Sequence, residues 1–288
     1  MPYTALKPSQ ELADIVGALG GTWHGYVASC RCPAHCDKTP SLSLRQGDWG
    51  ILVTCFAGCD AEDVLRELRR VPVTRRFEPP KANLSRGTEN VERLWDQAGP
   101  VEGTLAERYL IGRHIDLGPA DLRFHPRCPL GPKPHTVFRP ALLVGVREVR
   151  RLVALQRIFI DPATGRYDCK VMLGQPGQGA WQGRPLTGDT IAIAEGFETA
   201  AAFTTIHGVP CWASLGARRL DQLRLPPGVS TLLIAEDNDL EGKGAADRAE
   251  AHYARPDLAI RRAPPPGRIK DWAVALERER ERGGGSSG

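Results

Sequence analysis

The sequence predicts an α/β chain, α+β overall, built in three parts, and three observations carry that expectation. Thr190-Ile-Ala-Ile-Ala194 and Thr231-Leu-Leu-Ile-Ala235 are short apolar runs that each end abruptly in acid, with a helical pattern from Phe197 to His207 after the first. Apolar runs of this length, bounded by turn formers, read as buried strands, so the unit is strand-helix-strand and its sheet is parallel. Between Phe138 and Leu173, longer apolar runs are separated by the turn Asp161-Pro-Ala-Thr-Gly-Arg166, as in a compact, mostly antiparallel unit. At the front, five of the eight cysteines fall between Cys30 and Cys59. In a cytosolic protein such clustering points to metal rather than to disulfides.

Composition bounds the rest. At 288 residues the chain is long enough for two or three small domains. Hydrophobic content of 41% and charge content of 25% are ordinary for a soluble protein. No stretch approaches the roughly 20 apolar residues of a membrane span. The start, Met1-Pro-Tyr-Thr-Ala-Leu-Lys7, has no apolar signal core, so a cytoplasmic location without membrane contact is expected. A net charge of +4 is too mild to argue for nucleic acid by itself.

In chain order, residues 8 to 20 read as a short amphipathic helix, with Ser9 as its N-cap and Gly20 as its stop. Leu42 and Leu44 alternate with serine as a strand, Gln46-Gly47-Asp48 is a turn, and Ile51 to Thr54 is the returning strand. Asp60 caps a helix whose apolar face is Val64, Leu65 and Leu68. Thiol or imidazole pairs before and after this hairpin give the layout of a zinc ribbon. Cys55-x-x-x-Cys59 is the second pair, while Cys30 and Cys36 compete with Cys32 and His35 for the first. So small a domain is marginal without its metal.

Residues 71 to 90 are proline-rich, basic and aperiodic, which reads as a linker that lets the front module move. Helical periodicity resumes at Glu89, with Val91, Leu94, Trp95 and Ala98 on one face, and again from Thr104 to Gly112. Asp121 to Pro126 is a short extended piece, and Phe138 to Val146, Leu152 to Ile160 and Cys169 to Leu173 are strands. Arg157 and Lys170 interrupt apolar strands, so each is either paired inside or lines a groove; the groove is the favoured reading.

Glu195, Asp237 and Asp239 stand at the carboxyl ends of the two buried strands, where open parallel sheets bind ligands. Carboxylates so close repel one another, and hard divalent cations are the usual remedy. Glu198 and Glu236 are read instead as caps or solvated loop acids. Cys211 to Leu215 and Leu258 to Arg261 are further strands, and a helix is expected from about Ala245 after the glycines at 242 and 244.

Here the sequence resembles a known family. Ile193-Ala-Glu195-Gly196 followed by Asp237-Asn-Asp239-x-x-Gly242 is similar to the Toprim domain of bacterial primases, topoisomerases and some nucleases. Cys32-Pro-x-His35 with Cys55-x-x-x-Cys59 resembles the zinc finger of bacterial and phage DNA primases. Phe138-Arg139 through Lys170-Val-Met-Leu173 resembles, more weakly, their RNA-polymerase subdomain. The three occur in the family's order across most of the chain, and the phage- and plasmid-encoded branch is the most similar.

The resemblance implies a zinc ribbon at 1–70, a linker at 71–90, the N-terminal RNA-polymerase subdomain at 91–185, a Rossmann-like Toprim domain at 186–281 and a flexible tail at 282–288. It implies a primase making short RNA primers on single-stranded DNA from nucleoside triphosphates, with a replicative helicase as a further partner. Cys32, His35, Cys55 and Cys59 are then the Zn²⁺ ligands. Asp237 and Asp239 are ligands of Mg²⁺ or Mn²⁺, and Glu195 is a third ligand or the base. Arg157, Lys170 and Arg139 hold triphosphate or template backbone, while Trp49 and Phe56 stack template bases.

Two departures stand out. The second cysteine pair has three intervening residues where the bacterial enzymes usually have two. The last motif, Lys270-Asp271-Trp272, lacks the second acid that often follows, so Asp271 carries over only weakly as a ligand. No helicase motor follows the Toprim region, so helicase contact is made another way or the chain is a fragment. A Toprim nuclease and a non-catalytic recombination mediator are the rival expectations.

Overall fold

The computed structural model describes residues 6–47, 50–79, 84–115, 121–131 and 136–284. It divides into two compact units, Thr4–Arg86 with Pro129–Phe138, and Gly87–Cys128 with Arg139–Gly288. Trp49, expected to stack bases, lies outside the described residues, as do residues 285–288 of the expected tail.

In the first unit, α1 (Gln10–Ala18) begins where the Ser9 hydroxyl accepts the Leu12 N–H at 3.2 Å, and it buries Leu12 and Val16. Four antiparallel strands follow in sequential order: β1 (Thr22–His24), β2 (Val27–Cys30), β3 (Leu42–Gln46) and β4 (Ile51–Cys55). The β3–β4 hairpin is the expected one. The β1–β2 hairpin is additional, because strands of three and four residues are too short to display alternation; its one signal is Gly25, at φ +66°. Asp60 caps α2 (Ala61–Leu68), accepting the Glu62 N–H, and Val64 and Leu68 close the little core with Leu42 and Leu44.

The stretch expected to be a free linker is anchored over its first part. Phe77 gives its backbone N–H to Asp14 and accepts from Gln10, both at 2.8 Å, and its ring lies over Gly17. A Cβ at position 17 would sit 2.1 Å from that ring, so only glycine admits this docking.

The second unit contains α3 (Leu84–Asp96) and α4 (Leu105–Gly112), then a sheet of β5 (Leu122–Leu130), β6 (Val137–Glu148), β7 (Arg151–Ile160) and β8 (Tyr167–Gly174) in that order. β6–β7 and β7–β8 are antiparallel, the second pair joined by the expected turn at Asp161 to Arg166. Then come β9 (Thr190–Ala194), α5 (Phe197–His207), β10 (Cys211–Ala213), a 3₁₀ turn at Ala217–Gln222, β11 (Thr231–Ala235), α6 (Leu240–Tyr253), β12 (Ala259–Arg262) and α7 (Trp272–Gly284). These strands form an all-parallel sheet in the order β10-β9-β11-β12.

α5 is buried from Phe197 to Thr204, with Phe197 edge-on to Trp181 at 4.8 Å and Phe203 edge-on to Trp272 at 5.2 Å. Each such buried ring contributes about 2 kcal/mol by transfer from water. α6 starts five residues before the expected Ala245, because Asp239 is already its cap and both glycines lie inside its first turns. α7 likewise continues into the stretch read as tail. Among the described residues no helix is long and apolar enough to cross a membrane.

Candidate catalytic cleft and metal cluster

β9 and β11 pair from Thr190 with Thr231 to Ala194 with Ala235, so the two strands end level and Glu195 and Glu236 are the next residue of each. Contrary to the reading as a solvated acid, Glu236 is buried and ion-paired to Arg262 of β12. Asp237, one residue on, reaches the cleft instead. Asp239 caps α6, its Oδ1 accepting the Gly242 N–H at 2.8 Å. Asp271 caps α7 in the same way, accepting from Val274 at 2.8 Å. A cap occupies one carboxylate oxygen and leaves the other, so capping and cation binding are compatible in both. Gly242 is what lets the turn close: a Cβ there would lie 2.5 Å from the Asp237 carbonyl oxygen.

Glu195, Asp237, Asp239, Glu241 and Asp271 line one cleft of about 530 Å³, to which β8 contributes Lys170. Seven acids line it against three cations, Arg113, Lys170 and Lys270. The crowding is visible in proton affinity. Burial first, and then Glu195, Asp271 and Asp239, push the Asp237 carboxyl up to about 7, with Lys270 pulling the other way. Glu195 is also raised, by burial and then by Glu241 and Asp239. Asp237 Oδ1 is buried without a hydrogen-bond partner. An orphaned carboxylate oxygen among other carboxylates fits a hard divalent cation, which takes oxygen ligands and cancels their repulsion.

Lys170 is both paired and cleft-lining. Its ammonium lies 2.7 Å from the Glu198 carboxylate and 4.7 Å from the centre of the Tyr167 ring. Glu198 is not the cap or loop acid expected from sequence but is buried, accepting from the Tyr109 hydroxyl as well. Burial alone would raise its pKa; Lys170 and Tyr109 outweigh that and hold it low. No sequence signal marked this pair, since Tyr109, Lys170 and Glu198 come from three separate elements.

Neither expected arginine lines the cleft. Side chains alternate along a strand, so in β7 Gln156 faces the cleft while Arg157 turns to the other face, beside Cys128 and over the Phe159 ring at 5.7 Å. Arg139 is ion-paired to Asp168.

In the first unit the donor atoms of Cys32, His35, Cys55 and Cys59 lie within 4.8 Å of one another. The His35 Nδ1 is 3.2 Å from the Cys59 sulfur and 3.9 Å from that of Cys55. Ligands about 2.0–2.3 Å from a tetrahedral metal stand about 3.5–3.8 Å apart, so the four can hold one ion. Asp37 lies 3.8 Å from the other ring nitrogen of His35 and accepts from the Cys32 N–H and from Ser41, the outer partner expected of a metal-bound imidazole. Without a cation the thiols crowd: burial, then Cys55 and Cys59, push Cys32 up to about 12. Cys30 and Cys36 are not among the four donors that gather here; Cys30 is buried in the core and Cys36 is exposed.

Residues 190–281 match the Toprim domain family, and residues 85–183 match a family described as a domain of unknown function (DUF7146). No curated protein matches the sequence. Among solved structures, the DnaG catalytic core aligns with TM-score 0.50 and 15% identity, over 68% of this chain and 76% of that chain. The zinc-binding and RNA-polymerase domains of the Aquifex aeolicus primase align with TM-score 0.49 and 16% identity, over 97% and 84%. The primase fragment of the bacteriophage T7 primase-helicase protein gives TM-score 0.47 and 13% identity, over 91% and 97%. At these identities the likeness is one of fold. The class is an α/β protein with a Toprim-like parallel sheet, its acids gathered at the carboxyl ends of the strands.

Proposed function

We propose that this chain is a DNA primase, joining ribonucleotides into short primers on a single-stranded DNA template. The observation that carries this reading is the meeting of Glu195, Asp237 and Asp239 in one cleft with Lys170, in a chain that also holds a four-donor Cys/His cluster. Bound Mg²⁺ or Mn²⁺ would activate the primer 3′-hydroxyl and neutralise charge on the transferring phosphoryl group.

The chain's own residues do the rest. Asp237 and Asp239 supply oxygens to the cations, with the Asp237 Oδ1 otherwise unsatisfied. Glu195, whose proton affinity is raised, either adds a third ligand or takes the hydroxyl proton. Lys170, held by Glu198, faces the triphosphate as a point charge. Arg139 is assigned to template backbone outside the cleft. Asp271 completes the acid ring without being a required ligand.

The cluster of Cys32, His35, Cys55 and Cys59 holds Zn²⁺ and stabilises the ribbon, and the exposed ring of Phe56 is assigned to template contact. The domain limits follow the same reading: ribbon 1–70, connection 71–90, RNA-polymerase subdomain 91–185, Toprim domain 186–281. A replicative helicase is the expected partner, and the cytoplasm the expected location.

The test is incubation with single-stranded DNA, labelled ribonucleotides and Mg²⁺ or Mn²⁺. Labelled primers support the proposal. Shortened template would indicate a nuclease, and a mobility shift with neither product would indicate a DNA-binding mediator; either outcome would overturn it.

A further inference from the structure

Asn238 sits between the two cleft aspartates and is spent entirely on one loop. Its side-chain amide donates to the carbonyls of Pro265, at 3.1 Å, Gly267, at 3.4 Å, and Ile269, at 2.8 Å. Its backbone N–H donates to the carbonyl of Lys270 at 2.7 Å. One residue of the β11 end thus binds four carbonyls within six consecutive positions. That loop, Pro264-Pro-Pro-Gly-Arg-Ile-Lys270, has three prolines and no regular structure to hold its shape. At its far end it delivers Lys270 and Asp271, both of which line the cleft with Asp237 and Asp239. A second tether, from the Trp272 indole N–H to the Ala263 carbonyl at 2.9 Å, closes the loop at its base.

We propose that Asn238 is a positioning residue that clasps this loop and thereby carries Lys270 and Asp271 to the edge of the acid cleft. The chemistry selects asparagine. A carboxamide offers two N–H groups on a short stem, which suits a set of carbonyl acceptors. Aspartate has the same shape but no donor, and would set a carboxylate against those oxygens. Serine and alanine do not reach. The clasp also explains how a proline-rich loop can place an acid and a base reproducibly beside two catalytic aspartates from the other side of β12. Its functional meaning rests on the proposed cation-binding role of the cleft, but the clasp itself does not.

The experiment has two readouts on the full chain. In hydrogen exchange, Asn238→Ala should speed the amides of the 266–271 segment about tenfold or more, as expected for losing at least one net hydrogen bond. The amides of β9 and β11 should be unaffected. Asn238→Asp, isosteric but without donors, should speed them at least as much. Unchanged loop exchange in both variants would overturn the proposal.

The second readout is Mn²⁺ affinity by calorimetry for wild type, Asp271→Asn, Asn238→Ala and the double variant. Where Asn238 presents Asp271, removing the Asp271 charge weakens Mn²⁺ binding several-fold in wild type and much less in Asn238→Ala. An equal loss in both backgrounds would show that Asp271 is placed without Asn238, and would overturn the proposal. Wild type that takes no Mn²⁺ at all would defeat the cation reading of the cleft, and the exchange data would then decide on the clasp alone.

Discussion

Asp237→Asn should stabilise the protein that lacks a divalent cation while abolishing its response to one. The Asp237 carboxyl ionises at about 7 in the fold against an ordinary value of 3.8. A difference of about three units, at about 1.4 kcal/mol per unit, makes ionisation of this group cost the fold up to about 4 kcal/mol. The direction follows from linkage. The folded state binds this proton more tightly than the unfolded chain, so stability falls as pH rises from about 4 to about 7 and stays low above that.

Asparagine has the same shape and no charge. Asp237→Asn should therefore match wild type near pH 4 and exceed it at pH 8 by about 2–4 kcal/mol, a rise of roughly 5–10 °C in melting temperature. Thermal melts at both pH values in buffer freed of Mg²⁺ and Mn²⁺ by dialysis, without strong chelator so that the cysteine cluster keeps its metal, measure this. Adding Mg²⁺ at about ten times its dissociation constant should recover about 1.4 kcal/mol in wild type at pH 8 and nothing in the variant. A variant that is less stable than wild type at pH 8, or whose gain does not depend on pH, would refute the picture of an ionised acid held against its neighbours.

Other outcomes follow from neighbouring contacts. Asp239→Asn should abolish primer synthesis while melting within about 0.5 kcal/mol of wild type, because asparagine is as good an N-cap; Asp239→Ala should cost about 1 kcal/mol more, measurable by urea titration. Lys170→Ala strands the buried Glu198 and should cost about 3 kcal/mol, whereas pairing it with Glu198→Gln should recover much of that in a double-mutant cycle. Cys55→Ser should release the cluster's metal on elemental analysis and unfold the ribbon, since such sites supply about 10–16 kcal/mol in small zinc peptides.

What could be read from the sequence follows a physical division. The parallel strands were legible because burial on both faces writes an unbroken apolar run, and Glu195, Asp237 and Asp239 could be found because each run ends in acid. Spacing narrowed the four cluster donors but left two pairs open; the fold gathers Cys32 and His35 with Cys55 and Cys59, while Cys30 pairs opposite Leu42 in the sheet. Lys170 stands out in the sequence as a cation inside an apolar strand, but its partner lies twenty-eight positions away on a helix. Arg157 met the same criterion and fails for reasons of parity: the strand's alternation sends it away from the cleft. Tyr109, Glu198 and the Asn238 clasp depend on contacts between elements distant in sequence, which no local pattern encodes.

The level ending of β9 and β11 has a consequence for how this site can change. Neighbouring strands keep a spacing of about 4.8 Å whatever their side chains. The gap between the acid of one strand and the acids of the next is thus fixed by backbone pairing, like marks on a ruler. Helices, loops and the flanking sheet can be exchanged without moving those marks. A single residue inserted in β11, by contrast, would trade Asp237 for Glu236 at the rim and hand the cleft an acid already committed to Arg262.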